Sequence, residues 1–296
     1  MRHHIRLVLA VLGFVLATTG GAFAQDRFFD SNGVRIRYVE QGSGDPVVLI
    51  HGNGGSLQGW IDSGVLPALA QSYRVIALDA RGHGKSGKPH EASAYGREMG
   101  LDVIRLLDHL KLRRAHIVGY SMGASITATL LTTHSDRFLT ATLGGAPGRF
   151  NWTDADTARA EKEASEKERE CVSRTQMMRL APPGQPPVSV AEFQKRLQAC
   201  MADPNQDRFA LAAVHRGMKD QVITPVQVSA IRVPTLGVVG SRDPYLAGFQ
   251  ELKKLRPAMK LVVIEGATHG TAMRTPEFLS AVREFLKAKL PETRLQ

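Results

Sequence analysis

Three residues far apart in the chain are of the types that acyl transfer needs: Ser121, Asp243 and His269. Ser121 stands in Gly119-Tyr120-Ser121-Met122-Gly123, the G-x-S-x-G pattern of a nucleophile elbow. A serine hydroxyl is a weak nucleophile until a neighbouring base takes its proton. A histidine is such a base, and it later protonates the leaving group. A carboxylate behind the histidine fixes its tautomer and stabilises the imidazolium. Gly240-Ser241-Arg242-Asp243-Pro244 and Ala267-Thr268-His269-Gly270 offer the acid and the base. Each segment alone is unspecific: a Gly-Ser-Gly turn, an Asp-Pro turn, a surface histidine. Together they are specific, because each follows directly on an apolar run.

Those runs are the elements that must position the three residues. Short strands are expected at Arg27 to Asp30 and Val34 to Glu40, joined at Asn32-Gly33. Further strands are expected at Pro46 to Ile50, Tyr73 to Asp79, Ala115 to Val118, Leu139 to Leu143, Thr235 to Val239 and Leu261 to Ile264. The first is wholly apolar, as in a strand buried on both faces, and the second also reads as buried. Helical stretches separate them: Leu57 to Gln71 with a kink at Pro67, Tyr95 to Leu110, Ala124 to Leu131, Phe249 to Leu255 and Pro276 to Lys289. Such alternation means a mostly parallel sheet covered by helices on both faces. Parallel strands share a direction, so all three residues emerge at one sheet edge, where open α/β sheets bind ligands.

The mature chain resembles α/β-hydrolases of the esterase, perhydrolase and C–C hydrolase type over nearly its full length. The matching pieces are Leu-Ile-His-Gly-Asn-Gly-Gly at 49–55, Asp-Ala-Arg-Gly-His-Gly-Lys-Ser at 79–86, the elbow at 119–123, and the segments at 240–244 and 267–270. The order Ser, Asp, His is that of the fold. The resemblance implies an eight-stranded, mostly parallel sheet flanked by helices, with a helical cap inserted after the sixth strand. It also implies an oxyanion hole made by the backbone N–H of Met122 and a second amide. That second donor is Asn53 by resemblance, with Gly54 as the alternative. Dehalogenases and epoxide hydrolases of this fold carry Asp at the elbow, and Ser121 argues against both. The His-Gly-Asn start is similar to dehalogenases, so the Asn53 side chain is a candidate to face the substrate. The implied activity is hydrolysis of a small-molecule carboxylic ester. A lactonase, thioesterase, C–C hydrolase, cofactor-free haloperoxidase or non-catalytic ligand-binding member of the fold stays open.

The domain plan is a leader at 1–24, a core at 25–149, a helical cap at 150–225 and a second core part at 226–296. Residues Met1 to Arg6 are basic, Ile5 to Thr18 are almost wholly apolar, and Ala22-Phe23-Ala24 is a cleavage pattern. That layout is a secretory signal peptide cleaved near Ala24. The expected location is therefore the periplasm or the outside of the cell, with no lasting membrane span. Within the cap, Asp154 to Glu170 is a dense charge run without an apolar face and reads as a solvated helix. A proline-rich loop at 181–187 precedes two helices, Val190 to Met201 and Arg208 to Met218. Cys171 and Cys200 are the only cysteines. In an oxidising compartment one pair permits one connectivity, which predicts a disulfide between the cap helices.

Composition excludes other classes. Hydrophobic residues at 43% and charged residues at 22% describe a globular protein. The formal charge of +10 is spread along the chain with no nucleic-acid motif, so no nucleic-acid partner is expected. No metal-ligand spacing occurs: His3 and His4 fall in the leader and His83 in a turn. The glycine-rich loop at 51–56 lacks a Walker lysine, and no cofactor is expected. The sequence leaves oligomeric state unspecified.

Overall fold

A computed structural model describes residues 25–186 and 188–288. The expected leader at 1–24 lies outside the described residues. Eight strands form one sheet: β1 (Arg27–Ser31), β2 (Val34–Gln41), β3 (Pro46–Ile50), β4 (Arg74–Leu78), β5 (Ala115–Tyr120), β6 (Phe138–Gly144), β7 (Thr235–Gly240) and β8 (Lys260–Ile264). Their spatial order is β1-β2-β4-β3-β5-β6-β7-β8. The β1–β2 and β2–β4 pairs are antiparallel, and the rest are parallel. This is the expected fold class. The β1–β2 hairpin turns on Asn32 and Gly33, both at positive φ, as a two-residue turn with the twist of its strands requires.

The apolar strands read as continuous runs because each face has its own core. Val48, Ile50, Ile76, Leu78 and Ile117 feed one cluster, while Val47, Leu49, Val75, Ala77 and Val118 feed the other. The helices that cover these faces are α1 (Gln58–Asp62), α2 (Val65–Leu69), α3 (Arg97–His109), α4 (Met122–Thr133), α9 (Pro225–Ala230), α10 (Leu246–Leu255) and α11 (Pro276–Lys287). Helix α3 packs on the first face with Val103 and Leu107, and α11 on the second with Phe278 and Val282. The stretch expected as one kinked helix from Leu57 is two helices. The break is at Gly64, whose φ of +77° leaves the helical region, and not at Pro67. Pro67 is the third residue of α2, where a missing N–H costs no intrahelical bond.

Between β6 and β7 the chain forms α5 (Asp154–Glu170), α6 (Arg174–Arg179), α7 (Val190–Ala202) and α8 (Arg208–Gly217). Helix α5 begins with a capping box between Thr153 and Asp156. It is not the solvated helix that its charges suggest. Ala160, Glu163, Ala164 and Lys167 are buried against α8. Their spacing is i, i+3, i+4, i+7, one helical face. Half of that face is alanine and half is ionisable, so no apolar periodicity announced it. Alanines 210, 212 and 213 of α8 are also buried, which suits a close approach of the two helices.

Cys171 ends α5 in left-handed backbone (φ 60°) and is disulfide-bonded to Cys200 of α7, with their Cα atoms 6.0 Å apart and a sequence separation of 29. Closing a loop of that length removes chain entropy worth about 3–4 kcal/mol. Cys171→Ser is therefore expected to lower the melting temperature under oxidising conditions. Wild-type protein in reductant should fall to the same value. Equal melting curves with and without reductant would remove the stabilising role.

Candidate active site

Strand β5 delivers Ser121 into a tight turn. Ser121 has φ 54° and ψ −110°, a conformation that L-residues rarely hold. The flanking glycines are required by contact. A Cβ on Gly119 would lie 2.2 Å from the carbonyl oxygen of Gly123, and one on Gly123 would lie 2.1 Å from that of Ile50. The Ser121 amide donates to Gly144 O (2.7 Å), which ties the elbow to the end of β6. Met122 is the first residue of α4, so its N–H has no acceptor within the helix.

His269 Nε2 lies 2.9 Å from Ser121 Oγ, and His269 Nδ1 lies 2.9 Å from Asp243 Oδ2. Asp243 and His269 are buried, at 2% and 7% exposure. The structure thus brings together the three residues singled out from spacing alone. Two tyrosines hold the histidine. Tyr120 Oη donates to His269 O (2.6 Å), and the Tyr245 ring lies 5.5 Å from the imidazole. The Tyr245 amide donates to the second Asp243 oxygen (2.9 Å), so that carboxylate is held at both ends.

The loop after β3 is fixed from behind. His51 Nε2 accepts from the Ala80 amide (3.0 Å), which leaves Nδ1 as the proton carrier facing Gly52 O (2.7 Å). Asn53 lines the same cavity as His269. Gly54 lines the neighbouring cavity, and its carbonyl accepts from Gln206 Nε2 (3.1 Å). The Asn53 side chain, expected by the dehalogenase-like start as a candidate to face the substrate, is tied at each end to a histidine. Its Nδ2 is 2.8 Å from His215 Nε2 and its Oδ1 is 3.1 Å from His83 Nε2. Both ends of the amide are therefore occupied by buried imidazoles.

From His215 the contacts continue through the cap. His215 Nδ1 lies 3.0 Å from Glu163 Oε2, outside good hydrogen-bond alignment. Arg179 donates to both Glu163 oxygens (2.8 and 3.0 Å), and its Nη1 donates to Tyr245 Oη (2.6 Å). A chain of polar contacts thus runs from the Asn53 loop, over the cap, to the Asp243 loop. Burial lowers His215 to about 4, and Glu163 only partly resists this. Burial also holds His83 well below the ordinary histidine value. Burial alone would raise Glu163, but the contacts with His215 and Arg179 outweigh it and hold the carboxyl at about 2. Sequence reading missed Glu163, Lys167, Arg179, His215 and Tyr245. Only the helical spacing of Ala160, Glu163, Ala164 and Lys167 carried a signal for the first two.

Two adjoining cavities lie between cap and core. One of about 480 Å³ is lined by Asn53, Met177, Leu180, Pro182 and His269. Another of about 380 Å³ is lined by Asn53, Lys167, Gln176, Met177 and Leu211. Among the described residues no cluster of three or more His, Cys, Asp or Glu is arranged to hold a metal ion, and no helix is long and apolar enough to cross a membrane.

A family model described as alpha/beta hydrolase fold matches residues 45–273. Over 123 residues the chain is 39% identical to the dihydrolipoyllysine-residue acetyltransferase component of the acetoin cleaving system of Cupriavidus necator, a match spanning 41% of this chain and 32% of that protein. It is 36% identical over 118 residues to the 2-hydroxymuconate semialdehyde hydrolase of Pseudomonas sp. strain CF600, covering 39% of this chain and 41% of the relative. These matches therefore span less than half the length of either relative. A solved structure from work on carboxylesterases of Nitrososphaera gargenis superposes with a TM-score of 0.72 at 21% identity, over 90% of this chain and 98% of that one.

Proposed function

The chain belongs to the α/β-hydrolase fold family, and on that premise we propose that it is an exported serine hydrolase that cleaves a carboxylic ester through an acyl-enzyme on Ser121. The observation that carries the reading is the pair of 2.9 Å contacts that line up Asp243, His269 and Ser121, with Ser121 held in strained backbone. His269 takes the hydroxyl proton as Ser121 Oγ bonds to the acyl carbon. The carbonyl π-electrons move onto oxygen, where the backbone N–H groups of Met122 and Asn53 receive the charge. Each such donor lowers the barrier by about 3–4 kcal/mol. Collapse expels the alcohol, protonated by His269, and water then releases the acid by the same steps in reverse. Asp243 keeps the Nδ1 proton of His269 on its own side throughout.

A serine at the elbow separates this reading from epoxide hydrolases of the fold, which carry Asp there. Export rests on the leader at 1–24, and the Cys171–Cys200 bond suits an oxidising compartment. The test is fluorophosphonate labelling, followed by p-nitrophenyl esters of graded acyl length. Labelling at Ser121 with turnover of at least one ester is the expected result. An unlabelled, folded protein would overturn the reading. Labelling without turnover of any ester would move the activity to a lactone, thioester, C–C or peracid substrate.

A further inference from the structure

Lys167 is only 5% exposed, on the inner face of α5, and lines the 380 Å³ cavity beside Asn53. Among the described residues its ammonium makes no ion pair within 4.0 Å and no hydrogen bond to protein, and Glu163 and Glu166 act on it only at longer range. The two acids whose charge reaches it are committed elsewhere. Glu163 is taken by Arg179 and His215. Glu166 accepts from Ser173 Oγ, Thr175 N and Thr175 Oγ1. His83 and His215 lie close enough to feel the lysine, and both are held neutral by burial. Asp203 also lines this cavity, but it borders the outer depression with Arg37 and Lys85 and accepts from the Asn205 amide. Arg196, a second cation, lines both this cavity and the one containing His269.

Placing a largely buried ammonium against a cavity with no direct ion pair is costly, and the more distant pull of Glu163 and Glu166 offsets only part of that cost. The geometry points to a carboxylate subsite: Lys167 binds an anionic end of the substrate, whose acyl chain enters the smaller cavity from the Asn53 loop. The substrate class is then the half-ester of a dicarboxylic acid, cleaved to a diacid. The acyl side is the one indicated, because Asn53, whose backbone N–H is the second oxyanion donor of the proposed mechanism, borders both cavities. The inference rests on the serine-hydrolase reading and narrows it. Burial lowers Lys167 to about 8 against the pull of Glu163 and Glu166, so near neutral pH the group is still mostly charged.

Calorimetric titration of the purified protein with succinate, glutarate and adipate, beside their diamides, tests the subsite without requiring turnover. At least one diacid is expected to bind at least tenfold more tightly than its diamide, and Lys167→Met to remove that preference. No diacid binding, equal diacid and diamide affinities, or a preference that survives in K167M would each overturn the subsite. If K167M does not fold, the wild-type diacid-to-diamide ratio decides alone, measured at pH 7 and again at pH 10. The preference should collapse at the higher pH, and an unchanged ratio would overturn the proposal. The kinetic counterpart is the ratio of kcat/KM for p-nitrophenyl hydrogen glutarate to that for p-nitrophenyl butyrate. It should fall at least tenfold in K167M. Failure of Ser121 to label sinks the hydrolase reading, whereas failure of these ratios sinks only the subsite.

Discussion

Ser121→Ala is expected to lower kcat for ester hydrolysis by on the order of 10⁵–10⁶, leaving only what binding and the oxyanion amides supply. The size follows from the arrangement. On the proposed mechanism, removing Oγ ends acyl-enzyme formation, and His269 and Asp243 then have nothing to activate except water. The fold should be almost untouched. Alanine keeps the Cβ and so keeps the strain at φ 54°, and the lost contact is one 2.9 Å hydrogen bond. Such a bond contributes about 1 kcal/mol. Ser121→Gly should be equally inactive yet more stable than Ser121→Ala, because glycine reaches this backbone region without a Cβ penalty. Residual activity above about a hundredth of wild type in either variant would remove Ser121 as nucleophile. A melting temperature for S121G below that of S121A would contradict the strain at the elbow.

The core was legible because its signals are redundant. Ser121 and Asp243 follow runs of buried β-formers, His269 follows the half-exposed edge strand β8, and a parallel sheet puts the ends of such strands on one edge. Gly119 and Gly123 are demanded by backbone approach within the elbow itself, so a local pattern reports a local constraint. The cap was legible only as helices. Its inner face is made by Glu163 and Lys167 between alanines, and the partners of Glu163 come from α6 and α8. Hydrophobic periodicity cannot mark a face whose burial depends on ion pairs formed at long range. Asn53 failed for the same reason. Its loop placed it correctly, but His83 and His215, which occupy its amide, lie 30 and 162 residues away. The break at Gly64 was hidden by Pro67, the stronger formal breaker, which is harmless in the first turn of α2.

Glu163→Gln is expected to destabilise the protein by about 3 kcal/mol near neutral pH, the equivalent of holding a carboxyl at about 2 instead of 4.5. The Glu163 side chain is 2% exposed and takes both ends of the Arg179 fork, so its loss leaves a partly buried guanidinium without a counter-ion. It also removes the carboxylate that faces His215 and one of the two that offset Lys167. Breaking a buried pair from one side costs about 3–5 kcal/mol, and Arg179, at 25% exposure, recovers part of that in water. The pH dependence gives the sign. A carboxyl whose folded value is depressed binds fewer protons when folded, so its contribution is present above the unfolded value and is lost as pH falls through about 2. The stability difference between wild type and E163Q should thus be constant above about pH 5 and shrink steadily below it. Other depressed carboxyls such as Asp156 titrate in the same range, but they are common to both proteins and cancel in the difference. Urea unfolding at pH 7, 5, 4 and 3 measures it. A difference that did not narrow towards pH 3 would mean that Glu163 is not held by Arg179 and His215, and that the cap is joined to the Asn53 and Asp243 loops by packing alone.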